Sequence, residues 1–197
     1  MSYQKIINTG EIVKNLIENH VKPGDIVLDC TVGNGNDTLF LSKMVGNEGK
    51  VYGFDIQKKA IKSTKELLTK ENSIENVVLF NDSHENIHQY IDEKLNFIIY
   101  NLGYLPKGDK SIKTNSISTI NSIKQALELL NYNGLLVVTV YVGHVGGPEE
   151  KQALGGLFLT LDQKSFNVLK YDFINQSNNP PVLFCLEKSG KSNKSFK

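Results

Sequence analysis

The sequence has little cysteine, no long apolar run and almost no net charge, and each shortfall removes a class of function. Cys30 and Cys185 are the only cysteines in 197 residues. Both fall inside apolar, strand-like runs, so they read as reduced, buried side chains rather than a disulfide or a metal site. The four histidines, His20, His84, His88 and His144, form no cluster at zinc-like spacing, which makes a metal-free protein the expectation. No apolar run is long enough to span a bilayer. The opening stretch MSYQKIINTGEIVKN lacks the apolar core of a signal peptide, so a cytoplasmic protein without membrane attachment is expected. A formal net charge of +1 excludes a bulk polycation. Any nucleic-acid binding must then come from a local basic patch.

What is present is an ordinary globular composition, 40% hydrophobic and 22% charged. The length suits one domain over residues 1–197, with a polar, lysine-rich tail from about 188 to 197 expected to fray. Strand-like and helix-like segments alternate along the chain. TGEIVKNLIENH carries apolar residues at helical spacing behind a Thr9 cap. DIVLDCT, GKVYGFDI, ENVVLFNDS, KLNFIIYNLG and LLVVTVYVG read as buried strands. NDTLFLSKMV and QKKAIKSTKELLTK read as helices, as does SIKQALELLNYNG, closed by its glycine. GPEEKQALGGLFLTL starts a helix with Pro148 and two acids. FNVLKYDFI and PPVLFCLEK adjoin without a helix between them, which predicts a terminal antiparallel hairpin. The fold class is therefore α/β, a mostly parallel sheet with helices on both faces.

In such sheets ligands bind at the carboxyl ends of the strands, near the switch in strand order. LDCTVGNGNDT runs from a strand through a Gly-rich bend into a helix. Gly33 and Gly35 let backbone pass close to a ligand. The bend lacks the Gly-Lys-Ser/Thr of phosphate-loop NTPases, and its match to G-x-G-x-x-G is partial because Thr38 holds the third small position. An ordinary tight turn would read the same. About twenty residues on, Asp55 ends the second strand, where an acid can accept from ribose hydroxyls, with Gln57 beside it. The third strand ends in Asp82, Ser83 and His84, suited to an adenine edge and ring. Each of these acids would also serve as a plain helix cap. Three polar strand ends on one rim favour nucleoside binding.

VLDCTVGNGNDT, VYGFDIQ, VVLFNDSHE and FIIYNLGYLP together resemble the class I S-adenosylmethionine-dependent methyltransferases over nearly the whole chain. That resemblance implies a Rossmann-like, seven-stranded sheet whose last strand is antiparallel, with S-adenosyl-L-methionine as cofactor. It implies that Asp29, Gly33, Asn34, Gly35, Asn36 and Asp37 surround the methionine part. Asp55 and Gln57 would meet the ribose, and Asp82, Ser83 and His84 the adenine side. NLGYLPKGDK, YVGHVGGPEE and NQSNNPPVLF narrow the resemblance to the MnmM (YtqB-like) rRNA methylase group. The group implies methylation of 5-aminomethyl-2-thiouridine at the tRNA wobble position, with the anticodon region of tRNA as partner.

Amino-group methyltransferases often carry Asn-Pro-Pro-Tyr after the fourth strand. Here Asn101, Leu102, Gly103 and Tyr104 stand in those places, without either proline. The amide would orient a substrate nitrogen, and the ring would stack on a base. An aliphatic amine is mostly protonated near neutral pH, with a pKa of about 10.4 in water, so a proton must leave before transfer. His144, Glu149 and Glu150 are candidate proton acceptors or substrate contacts. Lys107, Lys110 and Lys113, and the tail lysines Lys188, Lys191, Lys194 and Lys197, are candidate RNA phosphate contacts. Asn101, Tyr104 and His144 form the expected catalytic set. The alternatives are an rRNA or small-amine methyltransferase of the same class, or a non-catalytic nucleotide-binding module. Assembly is left open between a monomer and a homodimer.

Overall fold

The computed structural model of the chain describes residues 8–103, 116–143 and 146–190. Elements follow in the order α1 (Thr9–His20), β1 (Ile26–Asp29), α2 (Asn36–Val45), β2 (Lys50–Phe54), α3 (Lys58–Lys70), β3 (Val77–Phe80), a 3-10 helix (His84–Gln89), β4 (Leu95–Leu102), α4 (Ser116–Leu129), β5 (Leu130–Val140), α5 (Gly147–Leu159), β6 (Phe166–Tyr171) and β7 (Val182–Lys188). The strands form one seven-stranded sheet in the order β3-β2-β1-β4-β5-β7-β6. The strands from β3 to β5 pair in parallel, and β7 runs antiparallel to both β5 and β6. This is the class I methyltransferase architecture expected from the sequence, with its terminal hairpin.

The central strands are apolar along their middles because helices cover both of their faces. Side chains alternate along β4: Ile98 and Tyr100 join a cluster with Leu28, Phe54, Val138 and Phe184. Phe97 and Ile99 join the opposite cluster with Val27, Val51, Leu41 and Ile17. The order reverses between β1 and β4, since the chain builds outward to β3 and then returns to the middle. That places the switch point between the carboxyl ends of β1 and β4. Among the described residues no helix is long and apolar enough to cross a membrane.

Three local readings differ from the structure. The cap of α1 is Asn8, whose Oδ1 accepts from the Glu11 amide at 3.0 Å, while Thr9 is buried in the first turn. Gly134 does not close α4. The helix ends at Leu129, β5 begins at Leu130, and Gly134 lies inside the strand after Asn133 at φ 59°. The carbonyls at that helix end are met by the ammonium of Lys188, which donates to Leu127 O at 2.9 Å and Leu130 O at 2.8 Å. A cation at a helix C-terminus does what a glycine cap was expected to do. Lys188 is thus the last residue of β7 and no part of a frayed tail. Lys191, Lys194 and Lys197 lie outside the described residues.

Candidate active site

Four polar strand ends line the rim of the sheet from β3 to β4, across the switch point. Asp29 closes β1, and its side chain is fully buried. Its Oδ2 accepts from Thr38 Oγ1 at 2.6 Å and its Oδ1 from the Thr31 amide at 3.0 Å. The bend between them holds Gly33 at φ 55° and Gly35 at φ 82°, left-handed conformations that favour glycine. A Cβ on Gly35 would also lie 2.7 Å from the Thr64 side chain of α3. Gly35 caps α2, so Asn36 and Asp37 fall in that helix's first turn. Asn34 and Asn36 are exposed at the bend, and Asp37 is half-buried.

Asp55, just past β2, holds this bend in place. Its Oδ2 accepts from the Gly33 amide at 2.9 Å and its Oδ1 from the Gln57 amide at 2.8 Å. Gln57 in turn is the N-cap residue of α3. Past β3, Asp82 accepts from the Ser83 amide at 2.7 Å, Asn86 Nδ2 at 3.1 Å and the Tyr90 hydroxyl at 2.7 Å. The Tyr90 hydroxyl is the main reason its carboxyl sits below the usual range. Ser83 caps the 3-10 helix by accepting from the Glu85 amide at 3.3 Å. His84 turns inward and packs edge-on to Tyr100, with ring centroids 5.7 Å apart. Burial lowers its pKa to about 4, and its Nδ1 is buried without a hydrogen bond among the described residues.

On the other side of the switch point stands Asn101. Its backbone amide donates to Thr31 Oγ1 at 2.7 Å, and its side-chain Nδ2 donates to Asp37 Oδ2 at 2.6 Å. Gly103 follows at φ 156°. A proline ring, fixed near −65°, could not adopt that backbone, so the missing prolines are matched by a different loop path. Sequence reasoning missed Tyr141, which follows β5; Asp37's negative charge, after burial, helps to raise its phenol pKa. Its only sequence signal is its place at the end of an apolar run. Tyr104, His144, Lys107, Lys110 and Lys113 lie outside the described residues. Glu149 is exposed. Glu150 is buried between helices and accepts from Thr119 Oγ1 of α4 at 2.8 Å, so it serves helix packing.

The electrostatics of this rim point to a cationic ligand. Burial is the first cause that raises the carboxyls of Asp29, Asp37 and Asp55, and Asp29 reaches about 7 with help from the charge of Asp37. None of the ion pairs among the described residues involves these three acids. Buried carboxylates without a cation are costly, and a ligand bearing positive charge relieves that cost. S-adenosylmethionine carries a sulfonium and an ammonium, together with ribose hydroxyls for Asp55, and so fits this donor and acceptor set. Among the described residues no group of three or more His, Cys, Asp or Glu side chains could hold a metal ion.

Comparison with known proteins agrees with this geometry. A family model described as "Putative rRNA methylase" matches residues 51–187. A tRNA (mnm5s2U34)-methyltransferase of Arabidopsis thaliana, a chloroplast protein, is 37% identical over 90% of this chain and 69% of its own length. A solved "putative rRNA-methylase" of Clostridium thermocellum is 46% identical, covers 94% of this chain and 100% of its own, and superposes with a TM-score of 0.92. A "putative methyltransferase" of Streptococcus mutans, solved in complex with SAH, is 38% identical over 95% of this chain and 99% of its own, with a TM-score of 0.84.

Proposed function

Because the chain belongs to the rRNA methylase family of class I S-adenosylmethionine-dependent methyltransferases, we propose that it methylates the aminomethyl nitrogen of 5-aminomethyl-2-thiouridine at the wobble position of tRNA. The observation that carries this substrate is the 37% identity to the Arabidopsis thaliana enzyme over 90% of the chain. The rim supports it. With Nδ2 committed to Asp37, the Asn101 amide keeps Oδ1 to accept a hydrogen from a substrate amine. Holding that nitrogen in line with the methyl donor removes much of the entropic barrier to transfer. Tyr104 would offer the stacking face for the wobble base, and His144 a polar contact to it.

The cofactor supplies a methyl group on a sulfonium, and the chain's residues hold it. Asp29, Gly33, Asn34, Gly35 and Asn36 border its methionine part. Asp55 and Gln57 meet the ribose, and Asp82, Ser83 and His84 the adenine side. Lys107, Lys110 and Lys113 would meet the phosphates of the anticodon region.

Nucleoside mass spectrometry on tRNA incubated with enzyme and S-adenosylmethionine tests the reading. tRNA bearing the aminomethyl group should gain one methyl, and tRNA without it none. Equal methylation of both would move the target to a ring atom. Methylation of ribosomal RNA alone, as the family description suggests, would replace the tRNA assignment.

A further inference from the structure

We propose that Asp37 is the residue that binds the substrate's ammonium group and takes its proton before methyl transfer, with Asn101 hydrogen-bonded beside it. This rests on the amine substrate argued above. The sequence alone sets Asp37 among the cofactor contacts, but the geometry divides the rim. Asp55 is tied to Gly33 and Gln57, on the β2 side of the switch point. Asp37 is tied to Asn101, across the switch point at the end of β4. Tyr141, in the segment after β5, feels the Asp37 charge, which adds to burial in raising its phenol pKa. Asp37 is therefore joined to the β4 side of the rim, where Asn101 is the proposed substrate contact. Among the described residues, neither Asp37 Oδ1 nor Asn101 Oδ1 has a hydrogen-bond partner, so one ammonium could donate to both.

The charged and titratable groups around Asp37 suit this role. Asp29 from β1 presents a second carboxyl, itself influenced by Asp55, and Tyr141 presents a neutral phenol. Among the described residues Asp37 has no cationic partner, and a substrate ammonium would supply one. In water a carboxylate is a weaker base than an alkylamine by roughly six pKa units. Burial narrows that gap from both ends, since it raises the Asp37 carboxyl and lowers an ammonium. In the step itself an N–H bond of the ammonium breaks and its electron pair stays on nitrogen. The proton forms an O–H bond on Asp37, and both partners become neutral. When the nitrogen takes the methyl, the carbon–sulfur bond of the donor breaks and its electron pair stays on sulfur; the nitrogen is positive again, and the Asp37 proton leaves to solvent.

The test is the pH dependence of single-turnover transfer by the full chain with Asp37→Asn, using tRNA bearing the aminomethyl group. Near neutral pH the variant should be about 100-fold slower or worse, the scale of a lost general base. Its rate should climb about tenfold per pH unit toward the amine's own pKa, because only free amine then reacts. The wild type should level off at lower pH, so the gap closes as pH rises. SAH affinity by calorimetry should stay within about twofold, which also shows that the variant is folded. Asp37→Glu should recover a profile of the wild-type shape. A variant with the wild-type rate and slope overturns the assignment. A tenfold loss of SAH affinity overturns it too, by placing Asp37 on the cofactor's own ammonium. A wild-type enzyme that leaves this tRNA unmethylated rejects the substrate reading instead, so the two failures are distinguishable.

Discussion

The side-chain amide of Asn101, at the end of β4, donates to the carboxylate of Asp37, in the first turn of α2, at 2.6 Å. This bond orients the amide, with nitrogen toward α2 and Oδ1 without a hydrogen-bond partner among the described residues. Asn101→Ala removes both the orienting contact and the acceptor. Since that acceptor matters most when the amine is aligned for transfer, kcat should fall by about 100-fold while SAH affinity changes little. Calorimetry and single-turnover rates on one preparation decide the matter. An equal loss in both would make Asn101 a cofactor contact.

Asp55 has two tasks, and removing it should show both. Its carboxylate accepts from the amides of Gly33 and Gln57, fixing the bend, and it is the acceptor proposed for the ribose. Asp55→Ala should weaken S-adenosylmethionine binding by about 1–3 kcal/mol, the scale of hydrogen bonds to a charged group. It should also lower the melting temperature without ligand, because two part-buried amides lose their partner. Unchanged calorimetric affinity in a folded variant would take Asp55 out of the cofactor site.

These strand ends are legible in the sequence for a physical reason. A strand covered on both faces is written as an unbroken apolar run, so its first polar residue marks the rim. Asp29, Asp55 and Asn101 are found that way, whereas after the part-exposed edge strand β3 the first polar residue is Asn81, one before Asp82. What the sequence hides is partnership at a distance. Nothing local says that Asn101 meets Asp37, 64 residues away, or that Lys188 reaches back 61 residues to the end of α4. The 3-10 helix at His84–Gln89 is too short to show a period. Asn8 and Thr9 are both good caps, and only the backbone chooses between them. His84 carries a polar label that its burial against Tyr100 belies.

Asp29 and His84 should tilt stability in opposite directions over the same pH range. Asp29 has a folded pKa raised from 3.8 to about 7. Between those values the unfolded chain gives up its proton first, so this group's contribution falls as pH rises. His84 has a folded pKa lowered from 6.5 to about 4. Between those values the unfolded chain holds the proton that the native state refuses, so its contribution rises with pH. Each group alone changes stability by at most about 1.4 kcal/mol per pH unit. In the ligand-free wild type the two should largely cancel from about pH 4 to 6.5. Urea titrations should therefore show stability rising with pH in Asp29→Asn and falling with pH in His84→Gln. Parallel slopes in the two variants would mean that at least one group is hydrated in solution.

Lys188 separates a structural lysine from an RNA-binding one. Counted from the sequence it belongs to a basic tail, yet its ammonium donates to Leu127 O and Leu130 O and lies near the rings of Tyr132 and Phe166. Burial comes first among the causes that lower its pKa. Lys188→Met keeps much of the stem and removes the donors that cover the end of α4. The variant should lose about 1–3 kcal/mol of stability by urea titration, the cost of leaving such carbonyls unmet. Its tRNA affinity should keep the wild-type dependence on salt, since a lysine turned onto a helix end releases no phosphate counter-ion. A shallower salt slope with unchanged stability would reverse the assignment and return Lys188 to the RNA surface.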